Sequence, residues 1–226
     1  MFHLDQDDVY RVDELDDMRW LRHGFGTRRA DLPGRFQQIA TLHQVHSADC
    51  VAAAGRGGAL GTGDALLENA PGAIVAVKTA DCVPLLLVDS IHRAVAAVHA
   101  GWRGTVAGVV ERAVAALGAH YGSQPSDLHA AIGPAIGECC YEVGPEVAAQ
   151  FGLEGRAHVD LAEEVRRRLQ AAGVGGQRIS VAGLCTKCLA IDFHSYRRDG
   201  AAAGRLYSYV GIQETAFAGP ASVSLQ

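Results

Sequence analysis

IVAVKTADCVPLLLVDSIHRAVAAVHAGWRG, residues 74–104, is the stretch on which the fold turns. It holds three short apolar runs, Ile74–Val77, Val83–Val88 and Ala94–Val98, broken by Thr79-Ala80-Asp81 and by Asp89-Ser90. Runs of this length between turn-forming residues predict buried strands. Beyond Gly101-Trp102-Arg103-Gly104 the apolar residues Val106, Val109, Val110, Ala113, Val114 and Leu117 recur at the spacing of one helical face. They predict a helix that stops near Gly118 or Gly122.

Further along the chain, Asp160 and Glu163 form a capping-box pattern around Leu161, ahead of Val165 and Leu169, with Gly173 at the exit, so a second helix is expected there. Further strands are expected at Leu128–Ile132, Ile179–Val181 and Leu206–Val210. The run from Ala52 to Gly63 carries five glycines and reads as a mobile surface loop. Strands outnumber helices and only some are joined by helical crossovers. The expected class is therefore α+β, a single domain spanning 1–226 with mixed, sandwich-like β-sheets flanked by helices.

Composition sets the limits on function. The 226 residues are 49% hydrophobic and 20% charged, enough apolar surface for one core without covalent staples. A net charge of −5 with scattered basic residues argues against a nucleic-acid partner, and the Arg166–Arg168 run reads as a solvated helix face. The acidic start (Asp5, Asp7, Asp8, Asp13, Glu14, Asp16, Asp17) lacks the pattern of a secretion signal. No long uncharged apolar stretch suggests a membrane span, so a cytoplasmic protein is expected. In that compartment six cysteines call for metal, catalysis or burial rather than a disulfide framework.

Chemistry concentrates at three places. His43-Gln44-Val45-His46 offers two imidazoles that point to different sides of a strand, so at most one is a ligand unless the backbone turns. Cys82 lies at the junction of two apolar strands, and His99 ends the next. If those strands are neighbours, Cys82 and His99 meet. Two imidazoles and one thiolate make a three-ligand zinc site with a fourth position open, the form that a catalytic zinc takes. The same set suits copper less well, because a type 1 site usually adds an axial Met and the methionines are Met1 and Met18. Cys82 as a nucleophile with His99 as its base, without metal, is the other chemical reading. A four-thiolate site would have to combine Cys185-x-x-Cys188 with Cys139 and Cys140, whose adjacency makes joint tetrahedral ligation awkward. Arg197, Arg198 and Arg205 could hold an anion, and Asp81 is the nearest group for proton transfer, with capping of the turn as its other role.

Taken together, HQVHSADC at 43–50, DAL at 64–66, TADCVPLLLVD at 79–89, AAVHAGWRGTVAGV at 96–109, AIGPAIGECCYEVG at 131–144, CT at 185–186 and FHSYRRDG leading to GR at 193–205 resemble the multicopper polyphenol oxidase (laccase-domain, YfiH-like) family. The resemblance implies a zinc on His46, Cys82 and His99, and a monomer or homodimer. It implies a purine nucleoside phosphorylase that splits adenosine, inosine and methylthioadenosine with phosphate and also deaminates adenosine. Arg28, Gln44, Arg103 and Arg197 are then expected to bind substrate, and His46, Cys82, His99 and Asp81 to serve the reaction. A copper-dependent polyphenol oxidase is the alternative carried by the family's older name.

Overall fold

A computed structural model describes residues 1–36 and 38–214. Two mixed β-sheets are stacked face to face. One has seven strands in the order Phe2–Leu4, Val9–Val12, Leu21–Gly26, Leu206–Ile212, Ile74–Thr79, Ile39–His43 and Gly58–Thr62. The other has six: Ile179–Val181, Leu128–Ile132, Val83–Asp89, Ala94–Ala100, Ala65–Glu68 and Cys50–Ala52. Most pairs are antiparallel, while Ile39–His43 runs parallel to both of its neighbours. The protein is thus α+β with mixed sheets and flanking helices.

The strand Val83–Asp89 shows why its sequence is an unbroken apolar run as far as Val88. Leu86 and Val88 pack between the sheets with Val75, Val77, Val95 and Val210. Leu85 and Leu87 point the other way, into a cluster completed by Val110, Val114 and Leu117 of one helix and by Leu161, Val165 and Leu169 of another. With side chains alternating between faces and both faces buried, positions 83–88 leave no place for a polar residue, and the buried Asp89 at the strand's end is satisfied by the Ile91 and His92 N–H groups. Two core layers therefore enclose the central sheet.

The helix Leu161–Ala171 begins as its sequence predicts, with Asp160 Oδ1 accepting the Glu163 N–H at 2.9 Å. Arg166 and Arg167 pair with Glu163 and Glu164 along it, and Arg168 pairs with Glu164 and Glu111, so the arginine run is a set of ion pairs. The expected helix after Gly104 is instead two helices, Trp102–Val106 and Val109–Tyr121, separated where Gly108 takes φ 88°. Only a residue without Cβ enters that region cheaply, and the apolar spacing gave no warning of the break. The glycine-rich stretch likewise differs from its reading as a loop, because Gly58–Thr62 is an exposed edge strand beside Ile39–His43. No helix among the described residues is long and apolar enough to cross a membrane.

Candidate metal centre

Register brings the first two ligands together. Val83–Asp89 pairs antiparallel with Ala94–Ala100, setting Pro84 opposite His99 and Val83 opposite Ala100. Cys82, one residue before the first strand, therefore faces the end of the second. The third ligand arrives from the other sheet. After the strand Ile39–His43 the chain turns, with His46 at φ 61°, and this turn separates the fates of the two imidazoles. His46 Nε2 comes within 3.8 Å of Cys82 Sγ, and the His46 and His99 rings meet edge to face at 4.8 Å between centroids. One donor atom from each of His46, Cys82 and His99 lies within 4.8 Å of the others, a spacing that fits a single metal ion. A Cβ on Gly101 would stand 2.7 Å from the His46 ring and 3.0 Å from Cys82 Sγ, so the turn must pass this cluster as glycine.

Asp64 builds the support. Its carboxylate, fully buried, accepts His99 Nδ1–H at 2.7 Å, the backbone N–H groups of Val45, His46 and Ser47 at 3.2, 3.0 and 2.6 Å, and the Ser47 hydroxyl at 2.8 Å. With Nδ1 occupied, His99 presents Nε2 to the cluster, the arrangement by which a carboxylate fixes the tautomer of a metal-ligating histidine. Burial alone would raise the Asp64 carboxyl, but the bonds from His99 and Ser47 outweigh it and hold the group at about 2. Burial likewise opposes charge on Cys82 and His99. For Cys82 the neighbouring imidazoles prevail and bring the thiol down to about 6, while Asp64 and Cys82 raise His99 to about 9. Without a metal the two groups thus favour a thiolate–imidazolium pair at neutral pH, and a metal bound there would take the place of the His99 Nε2 proton.

Two cavities of about 300 Å³ each have His46, Ala80 and Cys82 in their walls. One is lined by Ile136, Leu161, Tyr141, Tyr196 and Arg197, with Asp81 at its edge. The other is polar, lined by His43, Gln44, Lys78 and Thr79, and the buried Thr79 hydroxyl has no hydrogen-bond partner. Arg205 borders both.

The remaining sequence-derived residues divide between cavity wall and scaffold. Arg197 reaches the first cavity, its guanidinium 5.4 Å from the centre of the Tyr141 ring. Gln44 lines the second, but both ends of its amide are taken by the Lys78 backbone, at 2.7 and 2.8 Å. Asp81 Oδ1 accepts the Thr186 hydroxyl at 2.6 Å and Oδ2 the Arg197 N–H at 2.8 Å, so its carboxylate braces the loop that carries Arg197. Arg28 bonds the Ala190 carbonyl and Arg103 lies over Trp102; neither is among the residues lining these two cavities. Asp64, Lys78, Tyr141 and Thr186 carried no assigned role in the sequence. The signal for Asp64 was its place in the DAL motif beside the glycine-rich run.

The chain is 40% identical over 210 residues to a protein of Deinococcus radiodurans named purine nucleoside phosphorylase, covering 88% of this chain and 80% of that one. It is 35% identical over 209 residues to a prokaryotic protein named adenosine deaminase RL5, covering 86% and 75%. Among solved structures, YlmD from Geobacillus stearothermophilus superposes with a TM-score of 0.87 at 26% identity, over 94% of this chain and 99% of that one. The family described as multi-copper polyphenol oxidoreductase laccase matches residues 22–213, and with nearly the whole described fold inside that match the chain belongs to this family.

Proposed function

We propose that this chain is a zinc-dependent purine nucleoside phosphorylase that splits adenosine, inosine and methylthioadenosine with phosphate and deaminates adenosine as a side activity. The observation that carries the reading is the pair of unlike cavities meeting at His46 and Cys82. An aromatic and apolar chamber suits a purine, and a polar one beside Lys78 and Arg205 suits phosphate. Relatives named for phosphorolysis and for deamination support the same pair of reactions.

His46, Cys82 and His99 would hold the zinc, with Asp64 as the outer partner of His99. When bound, zinc supplies Lewis acidity at an open coordination position. The chain's own residues do the rest of the work. Lys78 and Arg205 bind phosphate, whose oxygen forms a bond to the anomeric carbon as the bond from that carbon to the purine nitrogen breaks. Tyr141 and Ile136 hold the leaving base, and Arg197 orients the nucleoside. Asp81, which lines the same chamber, passes to the departing base the proton that the attacking hydrogen phosphate gives up. Gln44 acts by fixing Lys78.

A second reading draws on one specific feature. Asp64, His99 and Cys82 form a line of carboxylate, imidazole and thiolate that also describes a cysteine nucleophile with its base. His46 speaks against it, because a second imidazole against the sulfur is surplus to a nucleophile and required by a metal site. The test is a nucleoside panel read by chromatography, with and without phosphate, beside metal analysis of the same protein. Release of hypoxanthine and ribose 1-phosphate from inosine, dependent on phosphate and abolished by a chelator, supports the proposal. Turnover that resists the chelator and is stopped by thiol alkylation overturns it in favour of the hydrolase. Oxygen consumption with phenols and no nucleoside turnover overturns it in favour of the oxidase.

A further inference from the structure

We propose that Cys139, Cys140, Cys185 and Cys188 form a second metal site, a structural zinc tetrathiolate that clips the loop walling the proposed nucleoside chamber to the loop that braces Asp81. The four sulfur atoms lie within 4.8 Å of one another. Cys188 Sγ is 3.7 Å from Cys139 Sγ and 3.4 Å from Cys140 Sγ. A zinc–sulfur bond of about 2.3 Å sets sulfurs about 3.8 Å apart in a regular tetrahedron, so the cluster already has close to the dimensions that the ion needs. All four cysteines are free, and a disulfide would join only two of the sulfurs that converge here.

The adjacency of Cys139 and Cys140 is an obstacle only on an extended backbone, where neighbouring side chains diverge. Here the chain makes a tight turn. The N–H groups of Cys140 and Tyr141 both donate to the Gly137 carbonyl, at 2.9 and 3.0 Å, and on this turn both sulfurs reach Cys188 Sγ. Gly137 lets the loop close over the sulfurs: a Cβ there would stand 3.3 Å from Cys185 Cβ and 3.4 Å from Cys139 Sγ. Its N–H donates to Cys185 Sγ at 3.3 Å, the kind of outer bond that offsets thiolate charge around a metal. Four soft donors in a tetrahedron select zinc over harder cations.

The two loops bear directly on the chamber. One carries Ile136 and Tyr141 to its wall. The other carries Thr186, which holds Asp81, and its carbonyls at 186 and 187 accept from Arg198, the neighbour of Arg197. The ion would therefore fix the spacing between the wall that carries Ile136 and Tyr141 and the loop that braces Asp81, while lying outside the His46, Cys82 and His99 set.

The test counts zinc on the full, reduced chain by mass spectrometry, and the count does not depend on any turnover. Two zinc ions per chain are expected, one in a His46→Ala/His99→Ala double variant and one in Cys188→Ser. In the zinc-loaded double variant a maleimide should leave these four thiols unlabelled until a chelator is added, a measurement that holds even if Cys188→Ser fails to fold. With cobalt in place of zinc, the double variant should show strong thiolate-to-metal charge-transfer absorption. No zinc in the double variant, zinc content unchanged from the parent in Cys188→Ser, iron in place of zinc, or four thiols that label freely in the zinc-loaded double variant would each overturn the proposal. A single zinc in the parent that persists in the double variant would support it and count against zinc at His46, Cys82 and His99.

Discussion

Asp64 Oδ1 accepts the His99 Nδ1–H at 2.7 Å, and the same carboxylate gathers the backbone N–H groups on either side of His46. One buried side chain thus positions two of the three candidate ligands. In Asp64→Asn the amide would turn an N–H group toward donors that need an acceptor. The variant should bind zinc about 10–100-fold more weakly, as loss of an outer partner to a ligating histidine usually does, and lose about 1–3 kcal/mol of stability. Competition with a chromophoric chelator and a denaturant titration measure the two effects. Unchanged zinc affinity in a destabilised protein would reduce Asp64 to a structural anchor.

Cys82→Ala tests the centre itself. The two layers of core around the central sheet do not involve the cluster, so the fold should survive while zinc in this site and nucleoside turnover are lost together. Zinc analysis and circular dichroism on one preparation separate these outcomes. Full turnover in Cys82→Ala would remove both the metal and the nucleophile readings at once.

A pH effect arises away from the site. His23 is 1% exposed, and its Nε2 accepts the Val12 N–H at 2.9 Å. Burial, then the charges of Arg11 and His3, lower its pKa from 6.5 to about 3. Between those values the unfolded chain holds a proton that the folded chain refuses. The contribution to stability is therefore complete above pH 6.5 and falls by about 1.4 kcal/mol per unit as pH drops toward 3. His23→Gln keeps an acceptor near the Nε2 position but cannot titrate, so its stability should decline less steeply with acid. Urea titrations at a series of pH values in this window compare the slopes, and equal slopes would show that His23 does not set the acid limb.

Much of this arrangement could be read from the chain, and the losses have physical reasons. The strands from Ile74 to Ala100 and the cap at Asp160 are local patterns, and each formed where its residues indicated. Cys82 and His99 were legible as a pair because a short turn joins their strands. Asp64 was not, since its role depends on Ala65 pairing with Val98 across more than thirty residues, which puts it beside His99. Lys78 and Thr79 were hidden in a strand whose apolar neighbours dominated its reading. The adjacency of Cys139 and Cys140 counts against a shared ion in the sequence, and the turn at Gly137 that curls the backbone there leaves no local pattern to read.

Lys78 separates the two proposed reactions, because it lines only the polar chamber and only phosphorolysis needs phosphate. Loss of one charge-assisted hydrogen bond is worth about 1.5–3 kcal/mol, which is about ten- to a hundred-fold in binding. Lys78→Gln should therefore raise the KM for phosphate in inosine cleavage by that factor. Adenosine without phosphate gives a different result. Its conversion to inosine uses water and releases ammonia, so the Lys78 charge has no phosphate to hold and the rate should stay within a few-fold of the parent. Gln44 fixes the Lys78 backbone, so Gln44→Ala should shift the phosphate KM in the same direction. His99→Ala should abolish both reactions, since each depends on the one centre. Steady-state rates with phosphate varied, read by chromatography beside ammonia release in its absence, decide the matter. An equal fall of both activities in Lys78→Gln would mean that the polar chamber serves the nucleoside itself, and the division of the two cavities between base and phosphate would have to be abandoned.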